Sequence, residues 1–286
     1  MITPRMVFEE NIRPAELLLR VYRLLECDVI ETEGELVRKL RAVVGAGASE
    51  YLMLISNSIF VGVVREHAEI PMPSLKRAAL DNLLRQAIVV ACTALDTYLP
   101  SLLRANLATV IEVRGREFIP QDNSVREYFG DLTFDLSDTL RLLADPEGAP
   151  LFIANKILGK TAFAYLSNKR GIHVVGALLA LDKPWQDIAA KLQRDRNELM
   201  KGIEETANRR NDIVHRADRP RGTSRTANEE ITFEWAEQQE VSFSFAQQSV
   251  DTVKHVCLAL DELVTARMVR LRVEAEEPRL LEGVVV

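Results

Sequence analysis

Apolar residues recur at three- and four-residue spacing along most of the chain, the repeat of helices that each bury one face, so the expected fold class is all-α. A first helix is predicted over 14–27, opened by Pro14 and carrying Leu17, Leu18, Val21, Leu24 and Leu25 on one face. A second spans 33–44 through Leu36, Leu40 and Val43, and GAGAS (45–49) ends it. A mostly apolar third helix is expected over 49–66, with Ser49 as N-cap. The string IPMPS (70–74) then breaks the pattern and marks a boundary between an N-terminal extension, 1–70, and a main domain, 74–272. A long helix follows from Ser74 to about 107. Pro100 lies inside it and is expected to kink it near Asp96, because the carbonyl of residue 96 loses its amide partner.

A loop is predicted over 113–123. Shorter helices follow at 124–130, 135–144, 151–168, 172–182 and 184–193, the last with Pro184 in its first turn. The stretch 195–217 reads as a strongly polar helix, followed by a loop over 218–229. Partial alternation in 231–235 and 241–245 marks a candidate small β-hairpin. A final amphipathic helix covers 246–272 and a tail covers 273–286.

Composition narrows the classes. At 286 residues with 47% hydrophobic and 27% charged positions, the chain has globular rather than disordered composition. No uninterrupted apolar run approaches the roughly 18–20 residues of a membrane span; the longest are 88–95 and 174–181. The first residues, MITPRMVFEEN, lack the basic start and apolar stretch of a signal peptide. Cys27, Cys92 and Cys257 lie far apart, which fits a reducing cytoplasm rather than a disulfide framework or a zinc site. A net charge of −6 means that any contact with nucleic acid must rest on a local basic patch.

One segment supplies such a patch. Residues 209–225 hold Arg209, Arg210, Arg216, Arg219, Arg221 and Arg225 against Asp212 and Asp218 alone, the asymmetry a phosphate backbone requires. Within it stands Arg210-Asn211-Asp212-Ile213-Val214-His215. On a helix Asn211 and His215 share a face, while Arg210 and His215 lie about 140° apart. A guanidinium, an amide and an imidazole beside a packed seam suit RNA cleavage without a metal, since RNA carries its own nucleophile in the 2′-OH. An imidazole with an ordinary pKa near ~6.5 exchanges protons at neutral pH. A guanidinium donates two parallel hydrogen bonds to phosphate oxygens as charge develops. The bland alternative is a solvated helix, with Asp212 paired to Arg216 and His215 packed at its end.

The string RRNDIVH (209–215), ending a polar helix before a loop and a last amphipathic helix, resembles the signature of the HEPN superfamily: Arg, a polar residue, then His after several more. The helix IVVACTALDTYLPSLLRANL (88–107) resembles that family's long core helix, with Asp96 where a Glu is more usual. The RiboL-PSP-HEPN-like branch is the nearest in pattern, and the resemblance spans 74–272. It implies a HEPN-type helical bundle that dimerises so that two motifs share a composite cleft. It also implies metal-independent endoribonuclease activity in a toxin, abortive-infection or phage-defence setting, with an antitoxin or defence-system partner and no cofactor. Residue by residue, it makes Arg210 and His215 the catalytic pair, Asn211 the polar residue after Arg, and Asp96 the orienting acid. Arg209, Arg216, Arg219, Arg221 and Arg225 are the expected RNA contacts. Some members keep the fold and only bind RNA or partner proteins, and that is the alternative.

Three other signals weigh less. ANKILGKT (154–161) fits a relaxed phosphate-loop pattern but has one Gly and continuing helical periodicity. Residues 185–203 faintly resemble a DNA-reading helix-turn-helix, without a Gly at the turn. His67, His173 and His255 are isolated, and Ser56, Ser58 and Ser101 have no His and Asp arrangement around them.

Overall fold

The fold is organised around one long helix that is buried on most sides. This computed structural model describes residues 2–26, 28–31, 34–47, 50, 52–56, 61–65, 72–118, 122–129, 132–160, 166–216, 218 and 239–282, and among these the fold is all-α apart from a three-stranded sheet near the start.

Helix α1 is Pro4–Leu25. It begins ten residues before the predicted start, because Thr3 is its N-cap, accepting from the Met6 amide at 3.2 Å, with Pro4 in the first turn. Pro14 lies inside the helix instead of opening it; Phe8, Ile12, Ala15 and Leu19 form one buried stripe across it. The next elements are β1 (Asp28–Glu31), α2 (Glu35–Val43), β2 (Leu52–Ser56) and β3 (Val61–Arg65). The strands pair antiparallel in the order β1-β2-β3, with Leu52 opposite Arg65 and Leu54 opposite Val63. This corrects the third helix expected over 49–66. A short apolar run reads equally as helix or strand by periodicity, and the β-branched Val61, Val63 and Val64 favour the strand. Val37, Leu52 and Leu54 make a small cluster of their own, separate from the main core that α1 joins.

Helix α3, Met72–Arg114, is 43 residues long. It starts with Pro73 in its first turn, passes through Pro100 and outruns the predicted end by seven residues because Val110 and Ile111 are also buried. Leu84, Ile88, Leu95, Leu99, Leu103 and Leu107 are essentially inaccessible. Each such side chain stabilises by roughly 1.5–3 kcal/mol relative to exposure, enough in sum to hold the helix through a proline that locally costs about 3 kcal/mol. The segment Leu80–Arg114 is long and apolar enough by composition to cross a membrane, and burial at the centre of the bundle accounts for its apolarity.

A 3₁₀ turn (Gly115–Phe118) leads to α4 (Asn123–Phe129), then α5 (Leu136–Ala144), which opens with a reciprocal Asp135–Asp138 capping box. Helix α6 is Ala149–Leu158, capped at Gly159. Ala154 and Ile157 are buried there, so the first five residues of the phosphate-loop pattern belong to a core helix, and the Gly159 and Lys160 amides donate to the Asn155 and Ile157 carbonyls at 3.0 and 3.1 Å; Thr161 lies outside the described residues. Next come α7 (Lys169–Leu178), α8 (Pro184–Leu192) and α9 (Arg196–Arg216). The α8–α9 turn needs no glycine: Gln193 takes the left-handed conformation, φ 51°. Gly176 lets α7 meet α8 closely, since a Cβ there would lie 2.5 Å from the Pro184 Cβ.

The last helix, α10, runs Phe243–Glu282, ten residues into the tail. Its start corrects the second half of the predicted hairpin: Phe243 and Phe245 are helical, and the Ser242 hydroxyl accepts from the Phe245 amide at 3.2 Å. Residues 231–235, the other half, lie outside the described residues. Helices α1, α6, α9 and α10 all pack on α3.

Candidate functional site

Helix α9 carries the motif, and its periodicity decides which residue points where. Asp195 caps it by accepting from the Glu198 amide at 2.9 Å. Leu199, Ile203 and Thr206 are buried at four- and three-residue spacing, and the half-buried Arg210 and Ile213 continue that row. Arg210 is thus a cation in the row of α9 that packs on α3. His215 lies about 140° around the axis from Arg210 and is exposed in the last turn.

On the opposing face of α3 stands Asp96. The Arg210 Nη2 donates to Asp96 Oδ2 at 3.3 Å, and its Nη1 donates to Asn211 Oδ1 at 3.0 Å. The pair is partly shielded, with 29% of the Arg210 and 23% of the Asp96 side chain accessible. One turn before Asp96, the buried Cys92 thiol points at the Thr206 carbonyl at 3.8 Å. Burial pushes that thiol up to about 12; the Asp96 carboxylate adds to the rise and the Arg210 guanidinium offsets part of it. Cys92 is therefore a neutral filler beneath the ion pair, not a nucleophile.

The structure brings together three of the four residues assigned to catalysis: Arg210, Asn211 and Asp96. His215 shares the helix but turns outward.

Arg209 stands in different surroundings from Arg210. It was expected to contact RNA, yet its guanidinium is drawn inward: Nη1 donates to Gln239 Oε1 at 2.6 Å, and Nη2 donates to Asp218 Oδ2 at 3.0 Å and to the Gln239 and Glu240 carbonyls at 3.1 and 3.0 Å. These acceptors already take the Nη1 and Nη2 donors that a phosphate oxygen would need. The Arg216 side chain and Arg219, Arg221 and Arg225 lie outside the described residues.

Sequence reasoning missed the partner of this arrangement. Arg85 of α3, only 5% accessible, donates from Nε to Asp218 Oδ2 at 2.7 Å and from Nη2 to the Gln239 carbonyl at 2.9 Å. Asp218 is fully buried and sits at φ 61°, a left-handed position that costs roughly 1–2 kcal/mol for a residue with a Cβ, with Asp among the better tolerated. Arg85 and Asp218 are 133 positions apart, so no local pattern joins them. The one available signal was an arginine beside Leu84 and Ala87 in an apolar helix, where a buried charge demands a partner. Three side-chain atoms at this seam, Arg209 Nε, Arg210 Nε and Asp218 Oδ1, are buried with no hydrogen-bond partner among the described residues.

The isolated histidines behave as packing or surface groups. His173 Nε2 meets Asp122 Oδ2 at 2.8 Å, and His255 lines an open cleft with Arg23, Arg194 and Asp251. His67 lies outside the described residues. No family model, curated protein or solved structure matches this chain.

Proposed function

We propose that the chain is a metal-independent endoribonuclease of HEPN type, with two copies completing a shared cleft. The observation that carries this reading is the Arg210 guanidinium held by Asp96 and Asn211 at the α3–α9 seam, with an exposed His215 on the same helix.

Each residue then has a role that its surroundings support. Asp96 and the Asn211 amide orient the guanidinium, whose N–H groups stabilise the extra negative charge on the phosphate oxygens as the 2′-oxygen bonds to phosphorus. His215 accepts the 2′-OH proton or protonates the departing 5′-oxygen. The P–O5′ bond breaks, leaving a 2′,3′-cyclic phosphate and a 5′-OH. Arg210 and His215 diverge around α9, so one copy alone presents them on different faces. Apposition of two α9 ends across a two-fold axis places one subunit's imidazole opposite the partner copy's guanidinium.

The test is cleavage of single-stranded RNA in EDTA by wild type, His215→Ala and Arg210→Ala, with light scattering to read the assembly. The expected outcome is cutting by wild type, a loss of roughly 100-fold or more in each variant, and a dimer. Cutting that ignores both substitutions, or that needs a divalent ion, overturns the reading. RNA binding without cutting favours the non-catalytic alternative, which the existing Arg210–Asp96 pair also suits, because it already occupies one Arg210 donor.

A further inference from the structure

Beneath the turn that carries His215 lies a charged knot the nuclease mechanism does not use. The last turn of α9 is closed by the Asp218 amide, which donates to the Asp212 carbonyl at 2.9 Å, so His215 stands inside a loop of backbone whose two ends are bonded. The far end is anchored through the Asp218 carboxylate, whose Oδ2 takes Arg85 Nε from α3 and Arg209 Nη2 from α9. The Gln239 amide donates to the Asp218 carbonyl at 2.8 Å, and its own carbonyl accepts from both arginines. Asp218 is thus tied by backbone to α9, by side chain to α3, and by backbone to the strand of chain entering α10.

A knot of this kind is not what stability alone selects. Two arginines and one carboxylate taken from water hold a fold less well than matched apolar side chains do, but they fix direction where apolar contacts slide. What is fixed here is the turn, and among its described side chains the turn carries the exposed imidazole of His215. We propose that Arg85 and Asp218 are positioning residues for His215, setting the placement of its ring relative to the Arg210 guanidinium. The role rests on the nuclease reading above, while the ordering of His215 is a physical property that can be measured without it.

The experiment combines ring-labelled histidine NMR with RNA cleavage on the full chain, in wild type, Arg85→Lys and Asp218→Asn. His215→Ala assigns the His215 signal. Arg85→Lys keeps the charge but loses the fork that reaches Asp218 and Gln239 together, so it serves where Asp218→Asn fails to fold. The expected result is a shifted or split His215 signal in each folded variant, with the His173 and His255 signals unchanged. The kcat falls by roughly 10–100-fold, and KM stays within about twofold. An unmoved His215 signal overturns the proposal, even if kcat falls. So does a change shared equally by all the histidines, which marks general loosening. A wild-type chain that never cuts RNA, but whose His215 signal moves in Arg85→Lys, upholds the positioning knot and removes the nuclease reading.

Discussion

Helix α3 meets α10 and α9 along two seams that handle buried polarity in opposite ways. At α10 the Tyr98 hydroxyl donates to the Cys257 carbonyl at 3.1 Å and lies 3.3 Å from Asp261 Oδ1, while the Tyr98 ring packs 5.1 Å from that of Phe8. One neutral hydroxyl is satisfied there, and the ring that carries it packs among apolar side chains. At α9 two arginines share one buried aspartate, a third arginine meets Asp96, and three buried atoms have no partner among the described residues. The first arrangement is what packing needs. The second keeps charge where a scaffold would have apolar side chains, and local departures from the rules of stable packing gather at functional sites. This contrast, more than any single distance, is what singles out the α9 end as the candidate site.

The contrast can be broken by removing one group from each seam. Asp218→Ala leaves Arg85 and Arg209 buried without a counter-charge and is expected to cost about 3–5 kcal/mol, read as a shifted midpoint in urea. Tyr98→Phe keeps the ring and deletes one hydroxyl, with an expected cost of about 1–2 kcal/mol in the same assay. If the two losses prove equal, the seams do not differ as described.

A smaller, pH-dependent effect sharpens the α10 side. Burial pushes the Asp261 carboxyl above its ordinary value of 3.8, against the opposing Tyr98 hydrogen bond and the Arg5 guanidinium. A raised carboxyl favours the folded state while protonated, and that contribution is lost as pH rises through the raised value. Asp261→Asn stays neutral throughout, so its midpoint relative to wild type should improve between about pH 3 and pH 7. A constant difference across that range removes the burial argument.

Much of the fold was legible in the pattern of apolar positions. The predicted 135–144 and 184–193 helices end within a residue of α5 and α8, because capping and turn residues, Asp135 and Pro184, act locally. The 49–66 segment was misread for the converse reason: whether a short apolar run becomes strand or helix depends on a partner strand, here β1, that pairs with it from outside. The candidate site divides the same way. Arg210, Asn211 and His215 stand together in the chain and could be singled out there, and Asp96 by its place in the long helix. Arg85 and Asp218 carry no mark of their partnership.

The chain alone determined that helices would dominate, the bounds of those whose ends are set locally, such as α5, α8 and α9, and which short string holds Arg210, Asn211 and His215. These follow from spacing and from side chains acting on their own backbone. Only the tertiary structure decided that Arg209 turns inward while Arg210 faces Asp96, and that a buried aspartate at a left-handed turn ties α9 to α3. Neighbouring arginines are alike as residues. Arg210 meets its carboxylate, Asp96, 114 positions away on α3, and Arg209 shares the nearby Asp218 with Arg85, which lies 133 positions from that aspartate; those distances are closed only by folding.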